Sequence, residues 1–338
     1  MLTPLSRKIG IILNTDNELI DIIYCFDENY NYQTITSVYS FLSNYSGPVR
    51  LHFLNNNSEK FKKLIYHINK FKNVTSINIY QHEKDKSFIY PAVANHHASE
   101  ATYYRLFIDK YLTTDVKNLL YFDSDVITIN DVSHEIKKNF YNLKKNDYYI
   151  GAVNYIVKND YGEINESNQK MLNELNLKSN KYFNAGVLFL NYEKWQEDNL
   201  NQKIIEHSKS MGNLENLKMH DQDILNSFFD GDFLNLDRWF NYALIEESFA
   251  KDEKKISENA KFVHYLGSQK PWLLNGFYNL SSKFYQNVFK VINRKSHLVF
   301  DINYGLKDIK NNFRLNDIVK PKKIYSYLRV LKSYLFKV

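Results

Sequence analysis

Two carboxylates one residue apart, Asp123 and Asp125, follow the apolar run Leu119-Leu120-Tyr121-Phe122, with only Ser124 between them. Such a run reads as a strand buried on both faces, and in open α/β sheets ligands gather beyond the carboxyl ends of the strands. Hard oxygen ligands in so small a number suit Mg²⁺ or Mn²⁺, which complete their shells with water and substrate phosphate oxygens. The competing reading is that one of the pair caps the next helix. A second polar set, His264-Tyr265-Leu266-Gly267-Ser268-Gln269-Lys270, places an imidazole at a strand end, then a glycine, then a lysine. His264 can complete an oxygen-rich Mn²⁺ site that Mg²⁺ accepts less readily, and Lys270 can neutralise a leaving phosphate.

Three more segments could supply partners for that chemistry. His220-Asp221-Gln222-Asp223 stacks polar groups at the start of a helix whose apolar face begins with Ile224 and Leu225. Helix capping accounts for one of its aspartates but not for the cluster. Tyr182-Phe183-Asn184-Ala185-Gly186 puts a polar residue and two small ones immediately before a buried strand, where small residues let backbone approach a ligand. Cys25-Phe26-Asp27-Glu28-Asn29 ends the first strand in a turn where side chains can read a nucleotide base, although turns favour Asp and Asn in any case. Cys25 itself reads as a small core residue rather than a nucleophile.

Positioning these groups requires a βα framework, and the hydrophobic pattern supplies one. Strands are expected over residues 20–26, 48–54 and 74–80, with helices over 32–45 and 61–71 between them. A helix over 101–112 precedes the strand at 119–122. Later strands are expected at 149–153, 187–191 and 261–265, with helices after Tyr192 and around 222–229. Alternation of this kind predicts a Rossmann-like, mostly parallel central sheet with helices on both faces. No internal repeat or Pro/Gly-rich linker interrupts it, so residues 1–289 are read as one domain and 290–338 as a helical extension.

Composition narrows the function. The six cations after Ile318 (Lys320, Lys322, Lys323, Arg329, Lys332 and Lys337, with no acid among them) account for the whole net charge of +6. The body is therefore neutral, which argues against a nucleic-acid surface. In the tail, Ile324, Leu328, Leu331, Leu335 and Val338 recur at helical spacing, so a basic amphipathic helix is expected. It would either dock on the body or lie on an anionic membrane surface. A single cysteine excludes an intrachain disulfide and fits a reducing compartment, most simply the cytoplasm. No apolar run approaches a membrane span, and the first residues do not read as a secretory signal.

Taken together, Phe-Asp-Glu-Asn-Tyr at 26–30, Ala-Thr-Tyr-Tyr-Arg-Leu at 101–106, Tyr-Phe-Asp-Ser-Asp-Val at 121–126, Tyr-Phe-Asn-Ala-Gly-Val at 182–187, Asp-Gln-Asp-Ile-Leu-Asn at 221–226 and His-Tyr-Leu-Gly-Ser-Gln-Lys-Pro-Trp at 264–272 resemble the bacterial family 8 glycosyltransferases. These are retaining enzymes related to the lipopolysaccharide α-galactosyltransferases and glucosyltransferases. The resemblance spans roughly residues 20–275 and implies a GT-A fold that binds a UDP-sugar with Mn²⁺. It implies Asp123, Asp125 and His264 as metal ligands, the first two forming a DxD motif around Ser124. Cys25, Asp27 and Asn29 would line the uracil and ribose pocket, and Gly267 and Lys270 would hold the diphosphate. Arg105, Asn184, Asp221 and Gln222 would surround the donor sugar, UDP-galactose or UDP-glucose, with His97 on the acceptor side. Asn154 stands where galactosyltransferase relatives carry an acidic acceptor contact, which implies a different acceptor choice.

The resemblance implies a glycan acceptor: lipopolysaccharide, capsule or glycoprotein. Gln222 is a poor nucleophile, which favours front-face attack by the acceptor over a double displacement. Two other classes compete. A metal-dependent nucleotidyltransferase would carry more acidic ligands and no His-x-x-Gly-x-x-Lys. A glycan-binding or membrane-adaptor relative would show a broken metal triad, whereas every proposed ligand is present.

Overall fold

The computed structural model describes residues 18–91, 99–156, 161, 163–212 and 214–299. Residues 1–17, His97 and the basic helix expected after Ile318 lie outside the described residues. Among the described residues, ten strands form two sheets: β1 (Ile20–Phe26), β2 (Val49–Asn55), β3 (Val74–Gln81), β4 (Asn118–Phe122), β5 (Val126–Thr128), β6 (Ile150–Asn154), β7 (Phe183–Asn191), β8 (Leu234–Asn235), β9 (Tyr242–Ala243) and β10 (Phe262–His264). The central sheet has the order β3-β2-β1-β4-β7-β6-β8, and β5-β10-β9 form a small second sheet. Six central strands share one direction, and β7 runs against both of its neighbours.

The run at residues 22–26 of β1 shows why a continuous apolar stretch is a doubly covered strand. Successive side chains alternate between faces, so Ile22, Tyr24 and Phe26 enter one core while Ile23 and Cys25 enter the other. The first core lies under α1 (Asn31–Leu42) and α3 (Ser133–Lys145), through Ile35, Val38, Phe41, Ile136 and Phe140. The second is closed by the segment Glu100–Lys110 and by α6 (Leu200–Ser210) and α7 (Asp221–Phe229). The remaining helices are α2 (Ser58–Lys62), α4 (Glu166–Glu174), α5 (Tyr192–Glu197), α8 (Glu246–Asn259), α9 (Leu274–Phe277) and α10 (Lys283–Asn293). No helix among the described residues is long and apolar enough to cross a membrane.

The structure departs from the sequence reading at three places. The helix expected over 61–71 is only α2 followed by a 3₁₀ turn, Ile65–His67. Its apolar residues keep their packing, with Phe61 and Ile68 fully buried, but Tyr66, His67 and the β-branched pair Ile65 and Ile68 are weak helix formers. The helix expected over 101–112 is a 3₁₀ segment, Glu100–Lys110, broken at Phe107 (φ −122°, ψ 18°). Aromatic and β-branched residues dominate it, and its side chains are anchored by the sheet below rather than by helix propensity. β7 begins at Phe183, so Asn184, Ala185 and Gly186 lie inside the strand and not before it. Near the expected boundary at residue 289, α10 runs to Asn293, Phe289 stacks on His297 at 4.3 Å, and Val299 N donates to Trp272 O at 2.7 Å.

Candidate active site

The order β2-β1-β4 contains the point where the chain's progression across the sheet reverses, the position at which ligand crevices open in such sheets. A cleft of about 150 Å³ lies there, lined by Cys25 and Asp27 from the end of β1, Thr102 and Arg105 from the 3₁₀ segment, and Asp123 and Asp125 beyond β4.

Main-chain ladders place the metal-ligand candidates. Asp123 N donates to Gly186 O at 2.9 Å, extending the β4–β7 pairing by one residue. His264 stands opposite Val126 in the β5–β10 pairing, and Tyr265 N donates to Asp125 O at 3.2 Å. Strands from distant parts of the chain thus deliver the three side chains to one point.

Their hydrogen bonds leave one atom of each facing the others. Asp123 Oδ1 accepts from Tyr121 Oη at 2.7 Å and from Arg105 Nη2 at 3.0 Å, which leaves Oδ2 toward the site. Lys270 Nζ binds Asp125 Oδ2, while the buried Asp125 Oδ1 has no hydrogen-bond partner. That oxygen lies 3.1 Å from His264 Nε2, which is in turn 3.9 Å from Asp123 Oδ2. His264 Nδ1 is engaged elsewhere, 2.9 Å from Asn241 Oδ1. Two carboxylate oxygens and an imidazole nitrogen, mutually within 4.8 Å and one of them an orphaned buried acceptor, are a donor set that fits Mn²⁺ or Mg²⁺.

Gly186 makes this convergence sterically feasible. A Cβ there would overlap the imidazole at His264 Cε1 and lie 3.0 Å from Asp123 Oδ2. The close approach expected of a small residue is therefore to a ligand-bearing side chain rather than to a bound molecule.

Electrostatics hold Asp125 ionised. Burial pushes the Asp125 carboxyl up, but Lys270 and His264 outweigh it and hold the group below the ordinary carboxylate range. Its ionised form therefore stabilises the fold above the unfolded carboxylate value, a contribution lost as pH falls toward the folded one. Asp221 goes the other way: burial pushes it up to about 6 against the pull of Arg105, whose Nε lies 2.6 Å from Asp221 Oδ2. Thr102 Oγ1 donates to the other Asp221 oxygen. Arg105 also donates to Ala185 O at 2.5 Å and lies over the Tyr121 ring at 4.1 Å. It ties together the 3₁₀ segment, β4, β7 and the start of α7, which explains how a broken helix can hold so fixed a side chain.

The other expected residues distribute as follows. Gln222 accepts from Ala185 N at 2.9 Å and from Asn184 Nδ2 at 3.1 Å, and donates to Tyr182 Oη at 3.0 Å. Tyr182 in turn donates to Asp223 Oδ1 at 2.5 Å. The amide of Gln222 is thus clamped rather than poised. Lys270 Nζ spends a second donor on Tyr265 O at 2.5 Å, two of its three. Gly267 adopts φ +65°, the left-handed turn that glycine favours. Ser124 Oγ bonds Thr34 Oγ1 at 2.7 Å, so its side chain stitches the loop to α1. Asp27 Oδ1 accepts from Asn29 N at 2.8 Å, the turn role that Asp serves at many strand ends, and the Asn29 side chain is exposed outside the cleft lining. Asn154, at the end of β6, is occupied with the backbone of Ile156 and Tyr182. Asn241 and Thr102, which the sequence reading did not single out, both hold site residues in place; an Asn at the end of a 3₁₀ turn, Arg238–Asn241, carries no local signal of such a role.

The chain is similar to several known glycosyltransferases. Lipopolysaccharide 1,2-glucosyltransferase of Escherichia coli (strain K12) is 33% identical over 180 residues, 52% of this chain and 49% of that one. Lipopolysaccharide 1,3-galactosyltransferase of Salmonella typhimurium (strain LT2) is 27% identical over 281 residues, 81% and 79% of the two chains. The crystal structure of the galactosyltransferase LgtC in complex with donor and acceptor sugar analogs has a TM-score of 0.60 at 20% identity, covering 85% of this chain and 100% of that one. At that identity the likeness establishes the fold, which is GT-A. The model of glycosyl transferase family 8 matches residues 21–276, from the first strand to the helix after Lys270, and the chain belongs to that family.

Proposed function

We propose that this glycosyltransferase moves a hexose, galactose or glucose, from a UDP-sugar to a hydroxyl of a glycan acceptor with retention, forming an α linkage on lipopolysaccharide or another surface glycan. The carrying observation is the convergence of Asp123 Oδ2, Asp125 Oδ1 and His264 Nε2 beside the cleft at the β1/β4 switch point. The named activities of the Escherichia coli and Salmonella relatives support the choice of sugars and acceptor class.

Asp123, Asp125 and His264 would hold Mn²⁺, with Mg²⁺ the weaker fit; the bound ion would offset the charge on the two phosphates. Cys25 and Asp27 border the cleft where the nucleoside would lie, and Arg105, from the same cleft, with the bonded pair Asn184 and Gln222 would surround the sugar. In the transfer, the bond from the anomeric carbon to the diphosphate oxygen breaks and UDP departs with the electron pair. The acceptor oxygen bonds to that carbon, and its proton passes to the departing phosphate oxygen. No side chain need protonate the leaving group. Gln222, whose carbonyl oxygen already accepts two hydrogen bonds, holds the sugar pocket in shape while the acceptor attacks from the leaving-group face.

Incubating the protein with Mn²⁺ and a panel of UDP-sugars, and measuring slow donor hydrolysis without acceptor, tests the reading and selects the donor. Product NMR is expected to show an α-anomeric linkage, and a β linkage would remove retention. Lys270→Ala is expected to reduce turnover more than donor affinity, because contact with the phosphate strengthens as charge develops. An effect confined to KM would assign Lys270 to ground-state binding alone.

The tail is proposed to hold the enzyme on the inner face of the plasma membrane. Its cations would add about 1 kcal/mol each near an anionic surface, a term that salt screens. A chain ending at Ile318 is then expected to act normally on a soluble acceptor analogue and to lose sedimentation with anionic vesicles. Lowered thermal stability with unchanged vesicle binding would instead place the tail against the body.

A further inference from the structure

The polar groups behind the metal triad continue without a break into the sugar side. Asn241 Oδ1 takes the bond to His264 Nδ1, and Asn241 Nδ2 donates to Asn184 Oδ1 at 2.7 Å. Asn184 Oδ1 also accepts from Gly186 N at 3.0 Å, and Asn184 Nδ2 donates to Gln222 Oε1. A carboxamide carries its acceptor and its donors on different atoms, so each end of Asn241 dictates the orientation of the other. Because its nitrogen is committed to an acceptor, its oxygen must face the imidazole. An oxygen there can only accept, so Nδ1 carries a proton, and Nε2, beside Asp125 Oδ1, is the nitrogen left to a metal ion. Asn241 is buried at the junction of the 3₁₀ turn and β9, and β9 pairs with β10, the strand that carries His264.

We propose that Asn241 is the positioning residue that locks His264 in its metal-binding tautomer and couples the metal site to the Asn184–Gln222 side of the sugar pocket. Outer-shell partners of this kind orient a ligating imidazole and raise its basicity. One amide, that of Asn241, thereby serves both halves of the site. The sugar-side half of the inference rests on the proposed function, whereas the tautomer belongs to the protein without metal or substrate.

Two variants separate the halves. Asn241→Leu removes acceptor and donor. Asn241→Asp keeps an acceptor for Nδ1–H, lacks the donor to Asn184, and is close in shape, so it remains informative if the leucine variant fails to fold. The measurements are imidazole ¹⁵N NMR of the metal-free protein, Mn²⁺ titration by EPR, and kcat and KM for donor hydrolysis. In the wild-type protein His264 is expected to carry a proton on Nδ1. Asn241→Leu should give mixed tautomers and bind Mn²⁺ about 10- to 100-fold more weakly. Asn241→Asp should hold the tautomer and the Mn²⁺ affinity while kcat falls about tenfold through the disturbed Asn184–Gln222 arm.

An Nε2–H tautomer in the wild-type protein would overturn the inference. So would unchanged Mn²⁺ affinity in Asn241→Leu, even with a lower melting temperature, since that marks a merely structural residue. Wild-type affinity and kcat in Asn241→Asp would sever the coupling to the sugar side. Should the wild-type protein bind no divalent ion, the metal-dependent function falls. The coupling to a metal site falls with it, and the NMR still decides whether Asn241 sets the tautomer.

Discussion

Asp125→Asn is expected to lower sugar transfer about a thousandfold while leaving the fold in place. The substitution keeps the shape of the side chain and an oxygen for Lys270 Nζ, so the buried ammonium retains hydrogen bonds, including that to Tyr265 O. What disappears is the charge and the orphaned oxygen that faces His264 Nε2. A metal ion contributes several kcal/mol of charge stabilisation in reactions of this class, and each 1.36 kcal/mol is a factor of ten, which gives roughly 10³. Either substitution leaves the buried Lys270 without its counter-charge, a cost of up to about 3–5 kcal/mol that the melt reads, and alanine is the poorer experiment because it also removes the hydrogen-bond acceptor for Lys270 Nζ. Transfer measured at saturating Mn²⁺, alongside a thermal melt, checks the point. A variant within tenfold of wild type and still metal-dependent would exclude Asp125 as a ligand.

Gly186→Ala is expected to be nearly as damaging, although it removes no functional group. The added methyl would occupy the space of His264 Cε1, and the imidazole is itself buried and held by Asn241. Either the ring tilts away from Asp125 or β7 shifts away from β4. Overpacking of this kind costs about 1–3 kcal/mol, a fall in melting temperature of roughly 2–4 °C per kcal/mol in a body of this size. The larger effect is on the site: Mn²⁺ titration should show binding weakened at least tenfold, as for loss of a ligand's outer-shell support. Full metal affinity at wild-type stability would mean that the strand accommodates the methyl by backbone adjustment.

Much of this was legible in the chain, and the reasons differ by element. β4 and the 22–26 part of β1 announce themselves because strands covered on both faces read as unbroken apolar runs, and β2 is read from Val49, Leu51, Phe53 and Leu54 despite Arg50 and His52. Asp123 and Asp125 follow from where β4 stops, and His264 from the apolar pair before it, Phe262 and Val263. The 3₁₀ character of Glu100–Lys110 was hidden because periodicity near three and near 3.6 differs little over so short a segment, and tertiary anchoring through Arg105 decides the outcome. Asn241 was invisible for another reason. Its role depends on a contact 23 residues along the chain and another 57 residues away, and neither leaves a trace in local composition. The direction of β7 was likewise unreadable, since a buried strand looks the same parallel or reversed.

The reach of those contacts bears on how the protein folds. Lys270 and Asp125 meet across 145 residues of chain, and closing loops of that length is slow compared with forming the local β1-α1-β2 unit. The central strands can therefore be in place well before β10 swings His264 into register with Val126. Recovery of Mn²⁺ binding after dilution from denaturant would then lag behind recovery of far-ultraviolet dichroism, and a divalent ion, having no preformed site to meet in the unfolded chain, would slow unfolding more than it speeds refolding.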